Sequence, residues 1–243
     1  MKGALRSKFY SSAGNETAMK YKICHLKSLT STQDKAKEFS RKGLSNIVII
    51  ADTQTKGRGR FHRKWHSQKG GLWMSILLKP DNTENLQYLT FAAAISAVKS
   101  IKKSANLNTN IKWPNDVHYN GKKLCGILTE GIFGKESYVV VGIGLNANQN
   151  EFPKDIQDIA ISLKIIKKQK FNVKKLSKNI IDKFFRIYNS QYEKNNVKNI
   201  LKIWKKHCDT IGKNVIVISR KGKTKGKAIG IDKDCNLLLK LTN

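Results

Sequence analysis

Gly57-Arg58-Gly59-Arg60-Phe61-His62-Arg63-Lys64-Trp65 carries neither the period of a helix nor the alternation of a strand. Its two glycines let a backbone approach a ligand closely and take positive φ. Three arginines and two lysines fall between Lys56 and Lys64. Upstream, Asn46 to Asp52 is a β-branched apolar run that reads as a buried strand. Downstream, Gly71 to Lys79 reads as a second strand, with Leu72, Met74, Ile76 and Leu78 on one face. Residues 54–70 are therefore a long basic loop between strands, and loops beyond about 12 residues in a compact domain are usually functional or disordered. Guanidinium forks fit phosphate oxygens, so the stretch suits a lid over an anion. It suits a solvated basic loop or a nucleic-acid contact as well. It is not a P-loop, since GxxxxGK[ST] is missing.

Working outward, residues 20–29 read as an opening strand. A helix capped by Ser31 or Thr32 follows, running to about Lys42 and stopped by Gly43. Residues 84–103 read as a helix burying Leu86, Leu89, Ala93, Val98 and Ile101. Strand-like segments follow at 109–113, 115–119 and 123–132, the last two joined by the hairpin signal Asn120-Gly121. Tyr138 to Leu145 is a further apolar strand. Residues 153–170 read as a short helix and loop, and 173–207 carry helical spacing with a break near Asn195-Asn196. Beyond Gly212, short strands and tight turns suggest a β-unit too small to stand alone. The expected organisation is a flexible leader at 1–19, a main domain at 20–207 and a small β-domain at 208–243.

The 243 residues are 40% apolar, with three prolines, which excludes disordered and collagen-like classes. No apolar run approaches the ~20 residues of a membrane helix, and residues 1–19 lack a signal-peptide core. The net charge of +30 fits a polyanionic partner. Yet 40 of the 47 basic residues are Lys, spread along the chain beside 21 Asn and 26 Ile. These are residues of A/T-rich codons, so compositional drift explains the charge equally well. Cys24, Cys125, Cys208 and Cys235 form no CxxC, and no His lies at metal-ligand spacing from them. Scattered thiols of this kind suit a reducing, cytoplasmic setting.

Three more stretches carry candidate chemistry. In Lys112-Trp113-Pro114-Asn115-Asp116, proline restrains the backbone ahead of two polar side chains. A carboxylate beside a lysine can hold magnesium or orient a reactive group, or be an ordinary exposed ion pair. Lys123-Leu124-Cys125-Gly126 sets a lysine at the start of a strand, with a glycine that leaves room for a ligand or simply marks a hairpin arm. Gly142-Ile143-Gly144-Leu145-Asn146 alternates glycines in an apolar strand, the pattern of close backbone approach or of a bulge.

In this order, with Ser31-Thr32-Gln33, Ala51-Asp52-Thr53-Gln54 and Trp65, these stretches resemble the biotin protein ligases, also called biotin–[acetyl-CoA-carboxylase] ligases. The resemblance covers about residues 20–150. It implies an α+β fold: a mixed, largely antiparallel central sheet with flanking helices, followed by a small SH3-like β-barrel. It implies activation of biotin as biotinyl-5′-AMP, then transfer to a lysine of the biotin carboxyl carrier protein of a carboxylase. Arg58, Arg60, Lys112, Asp116 and Lys123 match the family's catalytic positions. Ser31, Thr32, Gln33, Gln54, Gly57, Arg58, Gly59, Arg60, Lys123, Gly126, Gly142 and Gly144 match the biotin side. Arg58, Arg60, Arg63, Trp65, Lys112, Asn115 and Asn146 match the ATP side, although core packing suits Trp65 as well. Mg²⁺ would accompany ATP, with Asp116 as its expected ligand.

The resemblance also implies a form without the N-terminal DNA-binding domain, hence no specific nucleic-acid or membrane partner, and leaves a homodimer through a sheet edge open. His62 departs from the family, which has glycine there. That matters if the position requires positive φ, which histidine adopts less readily. Two rivals remain: a lipoate or octanoate transferase, which shares the fold but uses other motifs, and a basic nucleic-acid-binding module.

Overall fold

Eight strands form the central sheet of the computed structural model, which describes residues 8–11, 21–219 and 222–241. They are β1 (Lys8–Ser11), β2 (Lys22–Leu29), β3 (Ile47–Gln54), β4 (Leu72–Leu78), β5 (Asn110–Lys112), β6 (Asp116–Tyr119), β7 (Lys122–Ile132) and β8 (Tyr138–Leu145). Their spatial order is β1-β2-β3-β4-β8-β7-β6-β5. Only β2 and β3 pair in parallel, because the helix α1 (Thr32–Ser40) carries the chain back between them; every other neighbouring pair is antiparallel. The mixed, largely antiparallel sheet is as expected. The leader is not wholly as expected: Lys8–Ser11 pairs with Lys22–His25 as an edge strand. The rest of 1–19 lies outside the described residues.

Alternation along each strand sends successive side chains to opposite faces. On one face, Leu72, Met74, Ile76 and Leu78 of β4 and Val139, Val141, Ile143 and Leu145 of β8 join the main core. That core is closed by α2 (Gln87–Ala105), α4 (Val173–Ile187) and α5 (Val197–His207). The expected break between the last two helices appears as a widened turn at Tyr188–Tyr192, followed by Asn195 with positive φ. Phe91 stacks on Trp204 with ring centres 4.1 Å apart. The helix expected from residue 84 begins at Gln87, since Asn85 sits in the left-handed region at φ 62°. A short helix, α3 (Leu163–Lys167), lies in the 153–170 segment.

The other face is divided. At one end, Phe39 and Ala36 of α1 cover Cys24, Leu26, Ile47, Ile49, Leu77 and Val140. At the other end this face carries Gly126, Gly142 and Gly144 instead of apolar side chains.

The C-terminal strands β9 (Asn214–Ser219), β10 (Gly222–Ile231) and β11 (Leu237–Leu241) form an antiparallel sheet of order β11-β10-β9. It packs on the main domain as a unit of this size requires. The indole Nε1 of Trp113 donates to the Cys235 carbonyl at 2.9 Å, and the Trp113 amide donates to Thr210 Oγ1 at 2.9 Å. The Tyr88 hydroxyl donates to the Lys233 carbonyl at 2.7 Å.

Candidate functional site

The basic loop folds back on itself over the glycine end of the sheet. The Trp65 amide donates to the Gly57 carbonyl, the Gly59 amide to the Arg63 carbonyl, and Arg58 and Lys64 face each other as a bridge. At the tip, Phe61 and His62 both lie in the left-handed region, at φ 56° and 57°. The position where the family has glycine does therefore need positive φ, and histidine occupies it here.

The base of the loop is tied to the start of α1. Gln54 Oε1 accepts from the Thr32 amide at 2.7 Å and from the Thr32 hydroxyl at 3.1 Å, while Gln54 Nε2 donates to Ser67 Oγ at 2.8 Å. Ser75 Oγ donates to Thr32 Oγ1 at 2.8 Å. Ser31, Thr32, Ser67 and Ser75 are all buried, so this is a preformed set of polar groups at the inner wall. Ser67 and Ser75 escape sequence reading because nothing local marks them; they join the site through pairings with Gln54 and Thr32.

Trp65 covers the glycines of the sheet. A Cβ at Gly144 would lie 2.6 Å from the indole Nε1, and one at Gly126 would lie 3.0 Å from Cζ3. Gly142 is covered by Gln33, whose carboxamide carbon would lie 3.1 Å from a Cβ there. The close approach expected at these three glycines thus comes from the protein's own side chains. Trp65 also meets the edge of Trp73 and lies 5.0 Å from Lys123 Nζ in a cation–π contact. Its Nε1 is buried without a partner among the described residues.

Lys123 reaches this face through a β-bulge. Asp116 pairs with Gly126 and Val117 with Cys125, but His118 pairs with Lys123, so Leu124 is the extra residue. Strict alternation would put Lys123 and Gly126, three apart, on opposite faces. The bulge instead brings Lys123 Cε to 3.1 Å from the Cβ position of Gly126.

Lys123 Nζ meets Asp116 Oδ1 at 2.7 Å. Burial alone would raise the Asp116 carboxyl. The His118 ring, with Nε2 3.9 Å from Oδ2, and the charge of Lys123 outweigh it and hold the carboxyl below its ordinary value. Asp116 is therefore engaged in orienting a lysine, and among the described residues no three His, Cys, Asp or Glu side chains gather to hold a metal ion. Asp116, expected as the Mg²⁺ ligand, thus already faces the Lys123 ammonium and is not a free anchor for a cation. Cys125, buried beside Asp116, has its thiol pushed up by burial, which keeps it protonated.

The loop and the 112–116 corner meet where Arg60 Nη1 donates to Asn115 Oδ1 at 3.4 Å. Asn115 Nδ2 donates to the Ile127 carbonyl at 2.6 Å, fixing the corner to β7, and the Trp113–Pro114 peptide is cis. Lys112 is exposed and stands directly opposite Asp116 in the ladder, so the two share a face. A cleft of about 330 Å³ opens here, lined by Arg60, Asn115, Ile127 and Thr129 on one side and by Asp234 and Asn236 of the C-terminal unit on the other.

Two expected site residues are occupied otherwise. The Asn146 Nδ2 donates to the carbonyls of Ile161 and Lys123, which makes it a brace between strand and loop. Arg58, expected among the free cations, is held by carboxylates: Nη1 lies 2.7 Å from Asp34 and Nη2 lies 3.3 Å from Glu130. Arg63 is exposed at the loop surface.

Comparison with known proteins identifies the family and the fold. The biotin/lipoate A/B protein ligase family model matches residues 25–148, and the biotin protein ligase C terminal domain model matches residues 210–243. The chain is 39% identical over 218 residues to the bifunctional ligase/repressor BirA of Bacillus subtilis, covering 87% of this chain and 67% of that protein. It is 32% identical over 134 residues to the biotin–[acetyl-CoA-carboxylase] ligase of Mycobacterium tuberculosis, covering 53% of this chain and 48% of that protein. Among solved structures, the biotin protein ligase from Aquifex aeolicus in complex with biotin and ATP superposes with a TM-score of 0.79 at 31% identity, over 89% of this chain and 90% of that one.

Proposed function

The chain belongs to the biotin protein ligase branch of the biotin/lipoate A/B protein ligase family, and on that premise we propose that it joins biotin to a carrier protein at the expense of ATP. In the first step an oxygen of the biotin carboxylate attacks the α-phosphorus of ATP, and pyrophosphate leaves. In the second, the amine of an acceptor lysine attacks the acyl carbon of biotinyl-5′-AMP, and AMP leaves. The observation that carries this reading is the convergence of four separated stretches on one sheet face: the wall around Thr32 and Gln54, the loop with Trp65, the Arg60–Asn115 contact and the Lys123–Asp116 pair.

Each step needs what these residues offer. A carboxylate and a triphosphate repel, so cations must bring them together and offset the charge of the transition state. Arg60 and Lys112 are the exposed cations at the corner, and Lys123 is oriented by Asp116. The buried hydroxyls of Ser31 and Thr32 and the half-buried carboxamide of Gln54 suit a ureido group, which both donates and accepts. The glycine-faced sheet and the Trp65 indole suit the apolar body of the vitamin. Mg²⁺ enters, on this reading, as part of the nucleotide substrate. The loop closes over the adenylate and keeps water from it.

The acceptor is a carrier domain of a biotin-dependent carboxylase. No helix among the described residues is long and apolar enough to cross a membrane, and the four thiols are unpaired, which supports a cytoplasmic setting. The test supplies ATP with biotin or lipoate and follows pyrophosphate release, with mass analysis for the acyl-AMP. Release with biotin and a mass for biotinyl-AMP is expected. Release with lipoate alone, or none with either acid, overturns the reading.

A further inference from the structure

Glu130 lies on β7 two residues past Leu128, on the face that carries Gly126. Sequence reading gives it no role. Its carboxylate is the most heavily engaged among the described residues near the site. Oε1 takes Lys37 Nζ at 2.9 Å, and Oε2 takes Gln33 Nε2 at 2.8 Å and Arg58 Nη2 at 3.3 Å. One carboxylate therefore joins the central sheet, two successive turns of α1 and the first arginine of the basic loop. Asp34 completes the grip on the same guanidinium at 2.7 Å, with Ser31 Oγ accepting from it at 3.5 Å. Arg58 is thereby shielded, with about a fifth of its side chain exposed, whereas Arg60 and Arg63 in the same loop are exposed residues.

The consequence is a division of labour inside the loop. A guanidinium between two carboxylates has its charge offset and is poorly placed to attract a further anion. It is well placed to hold the base of the loop against α1, whose first turn presents Ser31 and Thr32. A loop of six or more like charges repels itself, so a fixed point at its base raises the fraction of molecules in which the lid is formed before any ligand arrives. Apparent affinity scales with that fraction.

We propose that Glu130 is a positioning residue that clamps Arg58, together with Asp34, so that the loop is preformed for substrate, and that Arg58 serves as an anchor rather than as an anion-binding cation. Once biotin and nucleotide are bound, their own negative charge holds the loop. The clamp therefore sets the affinity for biotin and leaves the chemical step nearly untouched. The kinetic part rests on the ligase reading above; the loop part does not.

The experiment compares wild type, Glu130→Gln, Asp34→Asn and Lys37→Ala. It measures the rate of tryptic cleavage in the 58–69 segment without ligands, the thermal midpoint, and KM for biotin and kcat in pyrophosphate release. Loss of a charge-assisted contact predicts about ten-fold faster cleavage and about ten-fold higher KM in Glu130→Gln, with kcat within about two-fold. Asp34→Asn, a surface change that keeps the fold if Glu130→Gln does not, moves both readouts in the same direction. Lys37→Ala, which removes another partner of Glu130 without touching Arg58, leaves both unchanged. Unchanged cleavage in both carboxylate variants overturns the clamp. So does a fall in KM, which would mean that Glu130 merely repels anionic substrates, or a fall in kcat as large as the rise in KM. If wild type releases no pyrophosphate with biotin, the ligase reading fails, while the cleavage rates still decide whether the clamp exists.

Discussion

The two faces of the central sheet are built from the same strands and do opposite things. On one, β4 and β8 present Leu, Met, Ile and Val to three helices, and the packing is continuous from Leu72 to Trp204. On the other, the same strands present Ser75, Gly142 and Gly144, and the covering groups are a tryptophan from a loop, a glutamine and a web of hydroxyls. The first face stores stability, because apolar area is removed from water and closely packed. The second holds polar groups and a removable lid, where a ligand can exchange for contacts the protein makes with itself. Strand alternation separates the two roles by the thickness of one backbone.

That separation breaks down if substitutions on the two faces act alike. Trp204→Ala, in the packed face, removes a fully buried ring stacked on Phe91 and is expected to cost about 3–5 kcal/mol of folding stability, read by chemical denaturation. Any residual folded enzyme should bind biotin normally. Lys112→Ala, on the site face, is expected to lower adenylation by about 10²–10³-fold while leaving the thermal midpoint in place, by analogy with the loss of one preorganised electrostatic group. A wild-type pyrophosphate rate in that variant would remove Lys112 from the site.

Gly144→Ala sharpens the comparison. Its new methyl lies 2.6 Å from the Trp65 indole nitrogen, so the loop must shift while the core behind stays intact. An overpacking cost of about 1–3 kcal/mol is expected to fall on biotin binding, seen by titration calorimetry, more than on the denaturation midpoint. The smallest effect concerns acid. Asp116 has a folded carboxyl pKa below its ordinary 3.8, so its pair with Lys123 adds stability that is fully present above that value and is lost as pH falls through the folded pKa. Wild type should therefore lose its stability margin over Asp116→Asn only in that acid window. A margin that vanished near neutral pH would show that the carboxyl is not held ionised.

Much of this was legible in the residues. The strands, the hairpin at Asn120-Gly121, the long basic loop and the corner at 112–116 all follow from local pattern and turn chemistry, and the ordered motifs name the family. The need for positive φ at residue 62 was also foreseeable, because the family has glycine where this chain has histidine. Less legible were the partners. Arg58 is one of three similar arginines in the sequence, and only the approach of Asp34 and Glu130 from two other elements makes it an anchor. Asn146 belongs to an apparent site motif, yet its amide is spent on backbone carbonyls.

The amino-acid order by itself determined which segments alternate, which turn and where charge accumulates, since those depend on neighbours within a few residues. The tertiary structure alone decided which side chains share a face. A single extra residue, Leu124, reverses the parity of β7 and swings Lys123 toward Asp116 and Gly126. Strand register is a property of two strands paired, and no period in one of them can reveal it.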